Sequence, residues 1–324
     1  MRVLSILIYA IGAFGLEDYL YAVNFGFREI TSARIGDHNN IIPVAKVDGS
    51  KEYQARMKEL SVISKRPKAY TPWLDEPHSY TQQDQEIFTA ALSQILEASA
   101  ELGHPMNIST VTFPSDIEMC TNERHHLRRF FLDSPLVPLI DLQAQVIESR
   151  AAARTVYDLN TYGGFGCPNK GDRWCDWNIA LFIDYSFDFL NLTVADMDEI
   201  IVDVLDEPFG RLEWSRSGRV KESEVYGAME NFISEFSDSD IEEYLLAIIV
   251  TGEASNEVMY GLRKNLRRIL PMKWQGLIRD QIDPRFVAAF GGAYEARKFP
   301  GWNIMACYDE PTDHNFHFEL DHYA

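Results

Sequence analysis

Leu245 to Val250 is a run of six apolar residues, ending at Thr251-Gly252-Glu253-Ala254-Ser255. A strand without polar alternation has to be covered on both faces, as a parallel strand is when helices flank its sheet. The residues beyond the run fit that setting, because Met259, Leu262, Leu266 and Ile269 recur at helical spacing straight after the turn. The same succession of strand and helix patterns extends along the chain. Tyr21–Gly26 and Ile30–Ile35 read as a hairpin, and Ile108–Phe113, Gln143–Ile147, Ile179–Asp184 and Phe187–Val194 read as further strands. Thr81-Gln82-Gln83-Asp84 resembles a capping box; Phe88, Ala91, Leu92, Ile95, Leu96 and Leu102 then share one helical face, stopped by Gly103 and Pro105. Helical patterns also cover Asn122–Phe131, with a basic edge, Glu148–Tyr157, about 220–236 and 240–246, and Phe286–Arg297 after Asp283-Pro284. Residues 36–80 carry Pro43, Pro67, Pro72 and Pro77 and read as loop-rich. Alternating strands and helices predict the α/β class.

At 324 residues the chain has room for about two domains or one two-lobed unit. Lys and Arg total 30 against 49 Asp and Glu, a net charge of −19. That balance disfavours nonspecific nucleic-acid binding and attachment to anionic membrane surfaces, both of which need a basic face. No stretch of 18 apolar residues occurs, so no membrane-spanning helix is expected.

The N-terminal run Val3–Gly15 behind Arg2, with Ala13 and Gly15 placed like a cleavage site, fits a short secretory signal over residues 1–15; it fits a buried first strand as well. Cys167 and Cys175 bracket a turn-rich loop and could close a disulfide in a secreted chain, or stay as two thiols. Cys120 and Cys307 are isolated. The sequons Asn107-Ile108-Ser109 and Asn191-Leu192-Thr193 are common by chance. Tyr162-Gly163-Gly164-Phe165-Gly166 leads into Cys167-Pro168 instead of a helix, so it makes a poor phosphate cradle. In the acidic tail 301–324, which also holds His322, His314-x-x-His317 could contribute to a metal site, but His spacing alone is nonspecific and the histidines read first as incidental. A cytoplasmic location is favoured slightly over a secreted one.

Several segments, in order, resemble the nucleotide-binding domain shared by actin, sugar kinases and heat-shock chaperones, with the chaperone branch nearest. Val23-Asn24-Phe25-Gly26 is similar to its first phosphate hairpin, and Phe182-Ile183-Asp184 to the start of the second. Val111-Thr112-Phe113-Pro114 resembles a first-lobe strand. Glu148 with Ala151-Ala152-Ala153 and Tyr157 resembles the first inter-lobe helix; Asp283-Pro284 with Ala288-Ala289 and Gly291-Gly292-Ala293 resembles the second. Ile248 to Ser255 resembles the adenosine segment. The resemblance implies a two-lobed, ribonuclease H-like fold with a reduced second-lobe insertion: lobe I at 16–175, lobe II at 176–285, and the helix 286–300 returning to the inter-lobe region.

It also implies a site. Asn24, Gly26, Thr251, Gly252, Ser255 and Arg263 stand where the family contacts ATP or ADP, and Asp184 stands where a carboxylate holds magnesium through water and supports hydrolysis. The pattern departs at the first hairpin, where the neutral Asn24 replaces an acidic residue and Phe27, Arg28 and Glu29 replace small ones. After Asp184, Tyr185-Ser186-Phe187-Asp188-Phe189 replaces a glycine-rich turn. The cluster Arg263, Lys264, Arg267 and Arg268 reads first as a solvated helix face. The expectation is a degenerate member: a pseudo-ATPase that binds or scaffolds an unidentified protein partner, with Mg-ATP weak at most. A slowly hydrolysing ATPase and a secreted structural protein are the alternatives.

Overall fold

The computed structural model describes residues 20–36, 40–64, 81–103, 108–114, 140–159, 178–186, 189–197, 202–204, 211–215 and 222–298. Residues 1–15, Cys120, Asn122–Phe131, the loop 162–166 with Cys167 and Cys175, Asp188, Asn107 and the tail 301–324 lie outside them.

Two mixed sheets are present. The first contains β1 (Tyr21–Phe25), β2 (Glu29–Ile35), β3 (Ile41–Asp48), β4 (Ile108–Phe113) and β5 (Ile140–Glu148), in the order β3-β2-β1-β4-β5. The second contains β6 (Ile179–Tyr185), β7 (Phe189–Met197), β8 (Val202–Val204), β9 (Arg211–Ser215), β10 (Leu245–Thr251) and β11 (Ile278–Arg279), in the order β11-β10-β6-β7-β8, with β9 also on β7. The two sheets are built alike. Each has a central strand, β1 or β6, that turns into an antiparallel hairpin with the next strand. On its other side each central strand takes a parallel neighbour, β4 or β10, followed by a further parallel strand, β5 or β11.

Helices α1 (Lys51–Ser64), α2 (Gln82–Glu101), α3 (Ser149–Val156), α4 (Glu222–Ser237), α5 (Asn256–Ile269) and α6 (Val287–Lys298) cover these sheets. Strand alternation decides which face goes where. In β1, Tyr21, Val23 and Phe25 enter a core with Tyr53 and Met57 of α1 and Phe88, Leu92 and Ile95 of α2, while Ala22 faces Ala293 of α6. In β6, Ile179, Leu181 and Ile183 pack with Met229 and Phe232 of α4 and Met259 and Leu262 of α5. Ala180 and Phe182 pack the opposite way, with Ala153 of α3 and Val287 of α6.

Helices α3 and α6, the two small-residue helices, pack against one another. A Cβ at Gly291 would overlap the carbonyl of Ala152, so the backbones touch there. The Thr155 hydroxyl adds a buried hydrogen bond to the Glu295 carboxylate across the same crossing. Gly292 faces the first sheet instead, where a Cβ would lie 3.0–3.3 Å from Thr112, Ala22 and Thr110.

Several local expectations change. Residues 36–80 include β3 and α1; Pro43 is accommodated because β3 is an edge strand with a register shift opposite Ser32/Ala33. Leu102 is 59% exposed, since it is the C-cap of α2 and the chain turns away at Gly103, φ 74°. Arg211–Ser215 forms a strand, and the helical pattern near 240–246 shrinks to one 3₁₀ turn, Glu242–Tyr244, before β10 claims Leu245 onward. The Asn191 sequon lies within β7 with Asn191 buried, which removes it as an acceptor in the folded chain. No helix among the described residues is long and apolar enough to cross a membrane.

Candidate functional site

Asn24 and Asp184 hold the same place in the two sheets. Each precedes the last residue of its central strand and points away from the outer core. Asn24 lies opposite Thr31 on the hairpin side and Thr112 on the parallel side; Asp184 lies opposite Asn191 and Thr251. Both line one small, open cavity, together with Gly26, Phe27, Ser149, Ser186, Thr251, Gly252, Glu253 and Arg285. A second small cavity shares Ser149, Asp184 and Thr251 and extends to Arg150, Asn191 and Thr193.

Five of the residues singled out from the sequence, Asn24, Gly26, Asp184, Thr251 and Gly252, are thus brought together. Two others line neither cavity. Ser255 is the N-cap of α5 and its hydroxyl accepts from the Val258 amide. Arg263 pairs with the Asp280 carboxylate at 3.3 Å and donates to the Asp280 carbonyl at 3.1 Å, which ties α5 to the end of β11.

Asn24 does not reach toward Asp184 for its hydrogen bonds. Its amide donates to the Thr31 hydroxyl at 3.4 Å, and its carbonyl oxygen accepts from the Thr112 hydroxyl at 2.9 Å. The first sheet therefore satisfies Asn24 internally, and the Thr31 hydroxyl in turn donates to the Arg285 carbonyl at 3.1 Å. Glu29 bonds Lys46 at 2.9 Å across β2 and β3. Arg285 lines the cavity but gives a two-point bond to Asp283, at 3.0 and 2.6 Å. Burial opposes ionisation of Asp283, but those bonds outweigh it and hold the carboxyl below its usual range.

The residue that sequence reasoning passed over is Glu253. It stands in the tight turn after β10, where Gly252 adopts φ 124° because its Cα lies against the Tyr185 backbone. The Ala254 amide bonds the Tyr185 carbonyl at 3.1 Å and fixes the turn. From there Glu253 crosses to the first sheet, and its Oε2 accepts from the Arg28 amide at 2.8 Å. A Cβ on Gly26 would overlap the Glu253 carboxyl, so that glycine is the space the carboxyl occupies. The other side of the same turn is held by the Tyr53 hydroxyl, which donates to the Gly26 carbonyl at 2.6 Å. Burial pushes the Glu253 carboxyl up to about 8; the Arg28 amide opposes, and the Asp184 and Glu29 charges reinforce the rise. Burial and the Glu253 charge likewise raise Tyr53 well above its ordinary value. The available signal was a charged residue inside a glycine turn directly after a buried strand.

These residues do not fit a magnesium polyphosphate. One of the twin positions is neutral and already hydrogen-bonded on both sides. The other, Asp184, shares the cavity with Glu253, whose carboxyl already occupies the Arg28 amide. No family model matches the chain, and no curated protein matches it significantly.

Proposed function

We propose that this chain is a degenerate form of the two-lobed nucleotide-binding domain found in actin and heat-shock chaperones, working as a binding or scaffolding module without efficient ATP turnover. Two units with the same strand order, meeting through the small-residue helices α3 and α6, support the architecture. The observation that carries the reading is the equivalence of Asn24 and Asp184: the fold keeps both positions at one cleft, while the chemistry keeps a carboxylate at only one. A hydrolytic site of this kind needs a carboxylate on each hairpin to hold magnesium and bare amides to hold phosphate; here Asn24 stands at one of the two places and the Arg28 amide is taken by Glu253. The residual capacity is for the adenosine side, where Thr251 and Gly252 line the cavity.

Calorimetric titration of the full chain with Mg-ATP tests this. The expected dissociation constant is weaker than about 100 μM, or about 5.5 kcal/mol of binding free energy. A low-micromolar constant with turnover overturns the non-hydrolysing half of the proposal and favours the slow ATPase.

A further inference from the structure

We infer that Glu253 is an internal latch: its carboxyl takes the anion-facing turn of the first sheet, ties the two sheets together across the cleft, and denies that turn to anions from solution. The turn connecting β1 and β2 points the Arg28 amide at the cleft, and such an outward amide beside a glycine is a ready anion acceptor. What it holds is the Oε2 of Glu253, from a residue 225 positions away on the second sheet's β10–α5 turn. The fit is mutual. Gly26 leaves the volume, Tyr53 fixes the Gly26 carbonyl from behind, and the Gly252 turn launches the side chain in the right direction. Glu253 is only 7% exposed, so the contact is desolvated, and a bond of this kind is worth more there than at a surface.

The latch is also built to release. Its Oε1 has no hydrogen-bond partner among the described residues, and neither does the buried Ser186 hydroxyl that lines the same cavity. A carboxyl held by one oxygen, beside Asp184 and Glu29, is a weaker occupant than a group satisfied on both. The inference goes beyond the nucleotide-domain proposal and stands whether or not adenosine binds.

The test uses the full chain with Glu253→Ala, Glu253→Gln and Gly26→Ala. Hydrogen exchange of the backbone over 25–30 reports the latch, and inorganic pyrophosphate, which carries no adenosine, reports access to the turn. The alanine variant at 253 is expected to exchange at least tenfold faster over 25–30 and to gain a pyrophosphate-dependent rise in Tm that the wild type lacks. Glutamine keeps an accepting oxygen and is expected to exchange like wild type. Gly26→Ala ejects the carboxyl from the other side, so it reproduces the fast exchange with Glu253 still present, and it serves if the 253 variant does not fold. Unchanged exchange in both alanine variants, or pyrophosphate stabilisation already present in the wild type, overturns the inference. Tight Mg-ATP binding with turnover would overturn the non-hydrolysing half of the proposed function alone and leave these readouts untouched.

Discussion

Gly291 and Ala152 meet backbone to backbone, and this contact sets how closely α6 and α3 cross between the two sheets. Any Cβ at 291 would overlap the Ala152 carbonyl, and neither partner is a flexible side-chain end that could swing aside. Gly291→Ala should therefore cost about 1–3 kcal/mol through overpacking, measured by urea denaturation. Gly292→Ala, which meets side-chain methyls at 3.0–3.3 Å, should cost less than that. Equal effects at the two positions would contradict the assignment of 291 as the crossing point.

Glu253 makes stability pH-dependent in a definite direction. Its carboxyl titrates near 4.5 when free and is raised to about 8 in the folded chain, so the folded state keeps a proton that the unfolded state gives up. The contribution is fully present below pH 4.5 and is lost as pH rises through about 8. The charged and titratable groups around it are Arg28, Glu29, Tyr53, Asp184 and Arg285. Wild-type Tm should fall between pH 5 and pH 8 more steeply than that of Glu253→Gln, which removes this proton and leaves the other groups in place. Parallel pH profiles for the two proteins would exclude Glu253 as the titrating group.

Asn24→Asp should destabilise the protein without restoring a working magnesium site. Aspartate can still accept from Thr112 but has no amide to donate to Thr31, and it would put a second charge in a position only 8% exposed, in the cavity that Asp184 lines. The expected loss is about 1–3 kcal/mol by thermal or urea denaturation. Magnesium, by partly neutralising the pair, should recover some of that loss in the variant and none in the wild type. An unchanged Tm and magnesium response would remove the basis for treating the two positions as twins.

The start of α2 separates a cap from an inter-helix tie. Thr81 and Asp84 form a complete capping box, and the Asp84 carboxylate also bonds Arg56 of α1, with Oδ2 3.0 Å from its guanidinium. Thr81→Ala should cost about 1 kcal/mol. Asp84→Ala removes the reciprocal cap and also leaves Arg56 to Glu59 alone, so about 2–3 kcal/mol is expected. Denaturation curves showing the threonine variant to be the worse of the two would reverse this ranking.

Much of the fold was legible because local patterns carried it. The capping box, the period-3.6 face of α2, the continuous apolar run of β10 and the alanines and glycines of α3 and α6 each encode their own element, whatever packs against them. Reading failed where a neighbour decides the outcome. Pro43 signals a loop until β3 is known to be an edge strand, and the helical pattern before Leu245 yields once β10 must pair with β6. The same division runs through the site. Asn24, Asp184, Thr251 and Gly252 were visible because they sit at strand ends in recognisable segments.

The α/β alternation, the positions of the two hairpins and the neutral side chain at residue 24 are each properties of a contiguous segment and could be read without the fold. Only the tertiary structure decided that Gly291, and not Gly292, is the crossing point, because one turn of helix presents both and packing chooses between them. It alone decided that Arg263 belongs to Asp280 and that Ser255 is a helix cap. And it alone brought Glu253 to the Arg28 amide, a contact between residues 225 positions apart that exists because two sheets from opposite halves of the chain close on the same cleft.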